Sequence, residues 1–176
     1  MANIPEMKFG HIGVNVVDIG PMVDFYVDIM GFTVTDRGTS SRGSEMAFLS
    51  RDPEEHHHIV LAEGRPANNV STVNQMSFKV NSLADVRTMY DRVKNAGIQG
   101  VAAIDHGAAL SVYFADPEGN RFEIYWATPW YIDQPHAQPI DFSQTDDELL
   151  AACESKCIAD PSYQSMDDWK ANFGDW

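Results

Sequence analysis

Cysteines, basic residues and long apolar runs are all scarce in this chain of 176 residues. Only two cysteines occur, Cys153 and Cys157, so neither a disulfide-stabilised fold nor a cysteine-rich metal site is expected. No apolar run approaches the roughly 20 residues of a membrane helix. The first residues also lack the basic patch and apolar stretch of a secretory signal. We therefore expect a cytoplasmic protein.

The chain is strongly acidic, with 12 Lys and Arg against 26 Asp and Glu and a formal net charge of -14. Such a charge repels phosphate backbones and anionic lipid headgroups, so neither nucleic acid nor a membrane surface is expected as a partner. Apolar residues make up 44% of the chain and charged residues 22%, which is typical of a globular protein.

The sequence repeats itself with a period of about 64 residues. Segments 7–34 and 71–101 both alternate between apolar and polar residues, pass through a short turn and continue as an amphipathic helix. The tripeptide Asp52-Pro53-Glu54 recurs 64 positions later as Asp116-Pro117-Glu118, and an apolar strand pattern follows each copy. Each half is thus predicted as a strand, a helix and two or three further strands.

One such half has too small a core to be stable alone, so the two halves are expected to share one. The prediction is an α+β fold of two paired βαβββ modules, at about 7–66 and 71–127 within a domain spanning 1–130. These modules should form a curved mixed sheet around a metal site. A helical C-terminal extension should follow over 131–176.

The repeat brings four metal-competent side chains into matching positions. His11 lies in the first strand pattern of the first module, and Gln75 lies 64 residues later. His57 is predicted to lie in the last strand of the first module, with Glu123 as its counterpart 66 residues later. Imidazole, amide oxygen and carboxylate are all competent ligands for a divalent first-row metal. Taken singly, each residue also has an ordinary structural interpretation as a hydrogen-bonded or solvent-facing side chain.

The segments HIGVNVVDIGPMVDFYVDIMGF and DPEGNRFEIY resemble the opening strand and helix and the closing hairpin of the vicinal oxygen chelate superfamily. That superfamily includes glyoxalases, extradiol ring-cleaving dioxygenases and the fosfomycin- and bleomycin-resistance proteins, and the resemblance covers about residues 7–130. A narrower motif, IDHGAALSVYFADPEGNRFE, is similar to the signature of single-module type I extradiol dioxygenases of the biphenyl-2,3-diol type. It supplies His106, Tyr113 and Glu123 in order.

The resemblance implies an enzyme that inserts dioxygen into a catechol-like aromatic diol at a mononuclear Fe(II) centre, with Mn, Zn or Ni as alternative metals. By it, His11 and Glu123 are metal ligands. His57 is then the histidine beside the dioxygen site, and His106 with Tyr113 forms the pair that binds the substrate and returns a proton. The expected partner is a small aromatic or oxygen-chelating substrate, in a homodimer or higher homo-oligomer.

One position departs from this pattern. The family's third ligand is a histidine at the start of the second module, where this chain has Gln75. An amide oxygen is a weaker donor than imidazole, so the ligand set is either His11, Gln75 and Glu123 or His11, His57 and Glu123. The alternatives to a dioxygenase are a glyoxalase-like metal-dependent lyase or isomerase, and a metal-free small-molecule-binding protein of the resistance type.

The sequence after Thr128 changes character. Three prolines in TPWYIDQPHAQPIDFSQ predict an extended arm, and Thr145 with Glu148 predicts a capping box at the start of a helix. Beyond that helix, an apolar stripe at helical spacing predicts a packing face or a lid. Its members are Met166, Trp169, Phe173 and Trp176.

Overall fold

The structure is a computed structural model that describes residues 5–172. The chain divides into two compact units. In the described range, the first unit comprises residues 5–71 with 116–118, and the second comprises 72–115 with 119–172. Among the helices of this range, none combines the length and apolar character that crossing a membrane requires.

The first unit is a βαβββ module, as predicted. Its sheet has the order β1-β4-β3-β2, in which β1 is parallel to β4 and the other neighbours are antiparallel. Its elements are β1 (Ile12–Val16), α1 (Ile19–Asp28), β2 (Thr33–Thr39), β3 (Glu45–Ser50) and β4 (Ile59–Glu63). The side chain of Asp18 caps α1 by accepting from the Gly20 N–H, and the helix buries Met22 and Tyr26 completely.

The second unit repeats this topology. The module elements are β5 (Met76–Lys79), α2 (Leu83–Asn95), β6 (Ala102–Asp105), β7 (Ala109–Ala115) and β8 (Arg121–Ala127). The C-terminal extension adds β10 (Gln138–Pro139), so the sheet has the order β10-β6-β7-β8-β5, with β5 parallel to β8. One face of β8 is apolar and includes the ring of Phe122, which stacks with those of Phe78 and Phe114. The other face carries Glu123.

The C-terminal extension is helical, as predicted. It contains β9 (Trp130–Tyr131), β10 (Gln138–Pro139), α3 (Asp146–Ile158), β11 (Gln164–Ser165) and α4 (Met166–Ala171). The capping box of Thr145 and Glu148 is confirmed at the start of α3. Trp169 of the apolar stripe stacks on Tyr131 at a ring-centroid distance of 5.8 Å. Two further members of the stripe, Phe173 and Trp176, lie outside the described residues.

A turn between β7 and β8 belongs to the first unit and carries a half-buried ion pair. One carboxylate oxygen of Glu118 accepts from the N–H groups of Val17 (2.7 Å) and Asp18 (2.9 Å), and the other pairs with Arg65 at 2.5 Å. Burial alone raises the pKa of Glu118, but these hydrogen bonds outweigh it and hold the pKa below its usual value.

The strand placement of His57 is wrong. β4 begins at Ile59, and residues 51–58 lie in turns and bends ahead of it. His11 and Gln75 likewise lie one residue before β1 and β5 rather than inside them.

The register also corrects the counterpart of Glu123. In the second unit Ser77, Glu123 and Tyr113 lie opposite one another across β5, β8 and β7. The corresponding row of the first unit is Gly13, Val60 and Phe48. Gly13 and Ser77 are 64 positions apart, so Val60, and not His57, is the counterpart of Glu123.

Candidate active site

The candidate site is built on one face of the second sheet. Because Ser77, Glu123 and Tyr113 lie directly opposite one another on neighbouring strands, their side chains project from the same face at short range. Side chains two residues apart share a face, which adds Gln75 beside Ser77 and Ser111 beside Tyr113. The result is a polar patch on a sheet whose other face is apolar.

The carboxylate of Glu123 is 8% exposed and fully hydrogen-bonded. Gln75 Nε2 (2.9 Å) and Ser77 Oγ (2.6 Å) donate to Oε2. Ser111 Oγ (2.8 Å) and the Tyr113 hydroxyl (2.5 Å) donate to Oε1. A carboxylate has about four acceptor positions, so these neutral donors use them all. This explains how an apolar strand tolerates a buried charge.

His106 extends this network. Its Nδ1 lies 2.6 Å from the backbone oxygen of His136, and its Nε2 lies 2.9 Å from the Tyr113 hydroxyl. A carbonyl oxygen only accepts, so Nδ1 carries a hydrogen and the ring is held in one orientation. In this tautomer Nε2 is the ring nitrogen that is able to accept a proton, and it faces the Tyr113 hydroxyl.

Tyr113 is buried and stays protonated in this network. Burial and then the hydrogen bond to Glu123 raise the pKa of Tyr113 well above its ordinary value. The guanidinium of Arg121 lies 4.1 Å from the ring centroid and opposes part of this shift. Tyr113 is therefore a hydrogen-bond donor at neutral pH and not a base.

A cavity of about 310 Å³ opens over these groups. It is lined by His106, Ala108, Ala109, Tyr113, Glu123, Tyr125 and Gln134. Sequence reasoning found three of these residues through the motif. It missed Ser77 and Ser111, although alternation from Gln75 and Tyr113 places both on this face. It also missed Gln134 and the carbonyl of His136, which no local pattern in the sequence indicates.

The first unit holds the other two predicted site residues. The rings of His11 and His57 lie 4.3 Å apart between centroids, and His57 Nδ1 lies 2.8 Å from His56 Nδ1. Partial removal from water, followed by three neighbouring imidazoles, lowers the pKa of His57. A neutral His57 at physiological pH is able to accept a proton.

The donor types fit a divalent first-row metal ion, since they comprise a carboxylate, an amide and imidazoles. The structure brings Gln75 and Glu123 together in one unit and His11 and His57 together in the other. A union of the two groups at one ion stays a prediction. Gln75 presents its amide nitrogen to Glu123, so it would have to turn its oxygen toward an ion to act as a ligand. Within residues 5–172, no cluster of three or more His, Cys, Asp and Glu side chains is arranged to hold a metal.

Comparison with known proteins identifies relatives of this chain. It is 28% identical over 131 residues to biphenyl-2,3-diol 1,2-dioxygenase 3 of Rhodococcus globerulus, covering 69% of this chain and 66% of that protein. It is 29% identical over 122 residues to biphenyl-2,3-diol 1,2-dioxygenase 2 of the same organism, covering 66% and 61%. The matches thus span no more than about two thirds of these relatives. A manganese-dependent 2,3-dihydroxybiphenyl 1,2-dioxygenase of Geobacillus genomosp. 3 is 28% identical over 68% of this chain and 36% of its own length.

Solved structures agree on the fold. A glyoxylase/bleomycin resistance protein/dioxygenase domain from Frankia sp. EAN1pec aligns with a TM-score of 0.62 and 19% identity, covering 70% of this chain and all of that one. A variant of the fosfomycin resistance protein FosX from Listeria monocytogenes aligns with a TM-score of 0.57 and 20% identity, covering 70% and 95%. The model of the Glyoxalase/Bleomycin resistance protein/Dioxygenase superfamily matches residues 8–124, and the chain belongs to that superfamily.

Proposed function

We propose that this protein is an extradiol-type dioxygenase that cleaves the ring of a catechol-like aromatic diol at a mononuclear Fe(II) centre. His11, Gln75 and Glu123 are the proposed ligands, and His57, His106 and Tyr113 are the proposed catalytic residues. The observation that carries the proposal is the hydrogen-bonded chain from His106 through Tyr113 to Glu123.

The relatives support this reaction class. Two of them are named as biphenyl-2,3-diol 1,2-dioxygenases, and the matches cover about two thirds of this chain. The motif that supplies His106, Tyr113 and Glu123 spans residues 104–123 and lies within the matched superfamily region of residues 8–124. The manganese-dependent relative makes Mn(II) the first alternative to Fe(II).

The chain's own residues account for substrate binding and proton movement. A catechol that binds through both oxygens gives up a proton, and a base must be within hydrogen-bond reach of it. His106 and Tyr113 line the cavity, which supports His106 Nε2 as the group that exchanges the proton and the Tyr113 hydroxyl as a hydrogen-bond donor to a substrate oxygen. A metal ion held by His11, Gln75 and Glu123 would act as the Lewis acid and redox centre for the reaction of the diol with dioxygen. Both atoms of dioxygen enter the ring-opened product, so no external reductant is needed.

His57 has a separate role in this proposal. Its lowered pKa keeps it neutral, and its ring is half-buried against that of Phe48 at 5.2 Å between centroids. Such an imidazole suits a proton acceptor on the dioxygen side of the reaction. Replacement by Gln would keep a polar side chain but remove this basicity.

Anaerobic loading with Fe(II), followed by a catechol panel in an oxygen-electrode cell, tests the proposal. We expect oxygen uptake in a one-to-one ratio with the appearance of a coloured ring-opened product. A Glu123→Gln variant, carried through the same loading, serves as the control. Absence of oxygen uptake with every diol, in a protein that retains stoichiometric iron, would refute the proposal.

A second candidate is a glyoxalase-type lyase or isomerase, and Gln75 favours it because an amide replaces the histidine expected of a dioxygenase. Turnover with Ni, Zn or Mn in the absence of oxygen would support this alternative. Binding of an aromatic ligand without any metal would instead indicate a resistance-type binding protein. The proposed homodimer or higher homo-oligomer is tested by light scattering of the purified protein.

A further inference from the structure

The loop between β6 and β7 that carries His106 is short and is shaped by its own side chains. Gly107 donates its N–H to Asp105 Oδ1 at 2.6 Å, and His106 donates its N–H to the Ala109 carbonyl at 2.8 Å. Gly107 adopts φ +72°, a conformation that other residues rarely adopt. The position of the imidazole therefore depends on where Asp105 and Gly107 are held.

Helix α3 of the C-terminal extension holds Asp105. The carboxylate of Asp105 is 9% exposed, and its Oδ2 forms an ion pair with Lys156. Cys153 lies one helical turn before Lys156, and its thiol donates to Asp105 Oδ1 at 3.4 Å. A buried carboxylate without a cation draws water or moves toward it, so Lys156 sets the position of this loop.

The extended arm of the extension holds the same loop from another side. The backbone oxygen of His136 accepts from His106 Nδ1, and Gln134 Nε2 donates to the His106 carbonyl at 2.8 Å. A Cβ at Gly107 would lie 2.5 Å from the side chain of Ile132, so arm and loop are in close contact. The imidazole and the backbone on both sides of it are thus tied to residues after 131.

We propose that the C-terminal extension is a positioning element for His106 and that Lys156 is its principal positioning residue, acting through Asp105. The proposal rests on the proposed function, in which His106 exchanges a proton with the substrate. Lys156 does not contact the cavity. The ion pair of Lys156 with Asp105 keeps His106 Nε2 within reach of the Tyr113 hydroxyl and keeps the imidazole in one tautomer. Without this support the loop would be more mobile.

Replacement of Lys156 in the full-length chain tests the proposal. Lys156→Met should lower kcat by about 10- to 100-fold, the effect of a misplacement of roughly 1 Å, while the KM for the diol changes much less. Lys156→Arg should restore most of the activity, since a guanidinium also pairs with Asp105. Lys170→Met is the matched control, because Lys170 is 63% exposed and pairs with Asp167 on α4.

A second readout needs neither metal nor substrate. In protein labelled with ¹⁵N-histidine, the ring nitrogens of His106, assigned by their loss in His106→Asn, should report one Nδ1-protonated tautomer. Lys156→Met should broaden or average these signals, and Asp105→Asn, a milder change, should do the same. An unchanged His106 spectrum in folded Lys156→Met or Asp105→Asn would overturn the proposal. Absence of dioxygenase activity in the wild-type protein would refute the proposed function, whereas the ¹⁵N-histidine spectra would still test the positioning of His106.

Discussion

Removal of the Tyr113 hydroxyl is the sharpest test of the hydrogen-bonded chain. Tyr113→Phe keeps a ring of nearly the same size in a position that is 6% exposed, and the Arg121 guanidinium retains a face to lie over. The variant therefore leaves no cavity of note. What it removes is one hydrogen bond of 2.5 Å to the carboxylate of Glu123 and the hydroxyl that links His106 Nε2 to that carboxylate.

The expected loss of stability follows from the charge of the acceptor. A hydrogen bond to a charged group contributes about 1.5–3 kcal/mol, so the free energy of unfolding of the metal-free protein should fall by that amount. Glu123 retains its three other donors, which keeps the loss within this range. For catalysis, removal of a positioned proton donor lowers kcat by a factor of about 10²–10⁴.

Urea unfolding of the metal-free protein and steady-state kinetics of the iron-loaded protein measure the two effects. Ser111→Ala is the matched comparison, since Ser111 donates to the same oxygen of Glu123. Among the described residues, the ring of His106 bonds to Tyr113 and to the His136 oxygen and not to Ser111. Ser111→Ala should cost comparable stability and much less activity. Equal losses of kcat in the two variants would show that Tyr113 acts only by supporting the carboxylate, and the reasoning would be refuted.

Three further outcomes are expected. Glu123→Gln should abolish stoichiometric binding of Fe(II) and Mn(II), measured by metal analysis, with an unchanged far-UV circular dichroism spectrum; retained binding would exclude Glu123 as a ligand. The pKa of Glu118 is lowered on folding, so its stabilising contribution is present above the unfolded value of about 4.5 and is lost as pH falls through the lowered one. Wild type should accordingly exceed Glu118→Gln in stability to urea at pH 7 and lose that advantage in acid, and a constant difference would contradict this origin. A left-handed backbone at alanine costs roughly 1–2 kcal/mol. Gly107→Ala should lower the stability of the protein by well over this amount, because its Cβ would also clash with Ile132. Gly119→Ala, at φ +84° and with open space around it, should show the backbone cost alone when the two variants are compared in thermal melts. Similar melting shifts for the two variants would exclude the clash.

Local periodicity was sufficient to predict much of the fold. Strand alternation, two amphipathic helices and the repeated Asp-Pro-Glu turn lead directly to two βαβββ modules. The error at His57 has a physical reason. The run His56–His58 precedes an apolar segment and predicts the start of a strand, but a strand needs a hydrogen-bonded partner, and the ladder with β1 begins only at Ile59.

The motif fixes the spacing of His106, Tyr113 and Glu123, which the structure brings together, and the catalytic roles of these residues stay a prediction. The contacts that support it join residues far apart in sequence. Lys156 and Asp105 are 51 positions apart, and the carbonyl of His136 lies 30 positions from His106. Neither contact produces a periodic pattern in the sequence. The contact to the His136 carbonyl also does not depend on residue type, since every residue has a backbone oxygen.

The equivalent cross-strand rows of the two sheets carry different side chains, so the two halves are not interchangeable. Where the second half presents Ser77, Glu123 and Tyr113, the first presents Gly13, Val60 and Phe48, which have no side-chain oxygen among them. The two halves thus share a strand topology but not the side chains of this row. A rearrangement that replaced either half with a second copy of the other would preserve the backbone while discarding either the carboxylate or the paired imidazoles of His11 and His57.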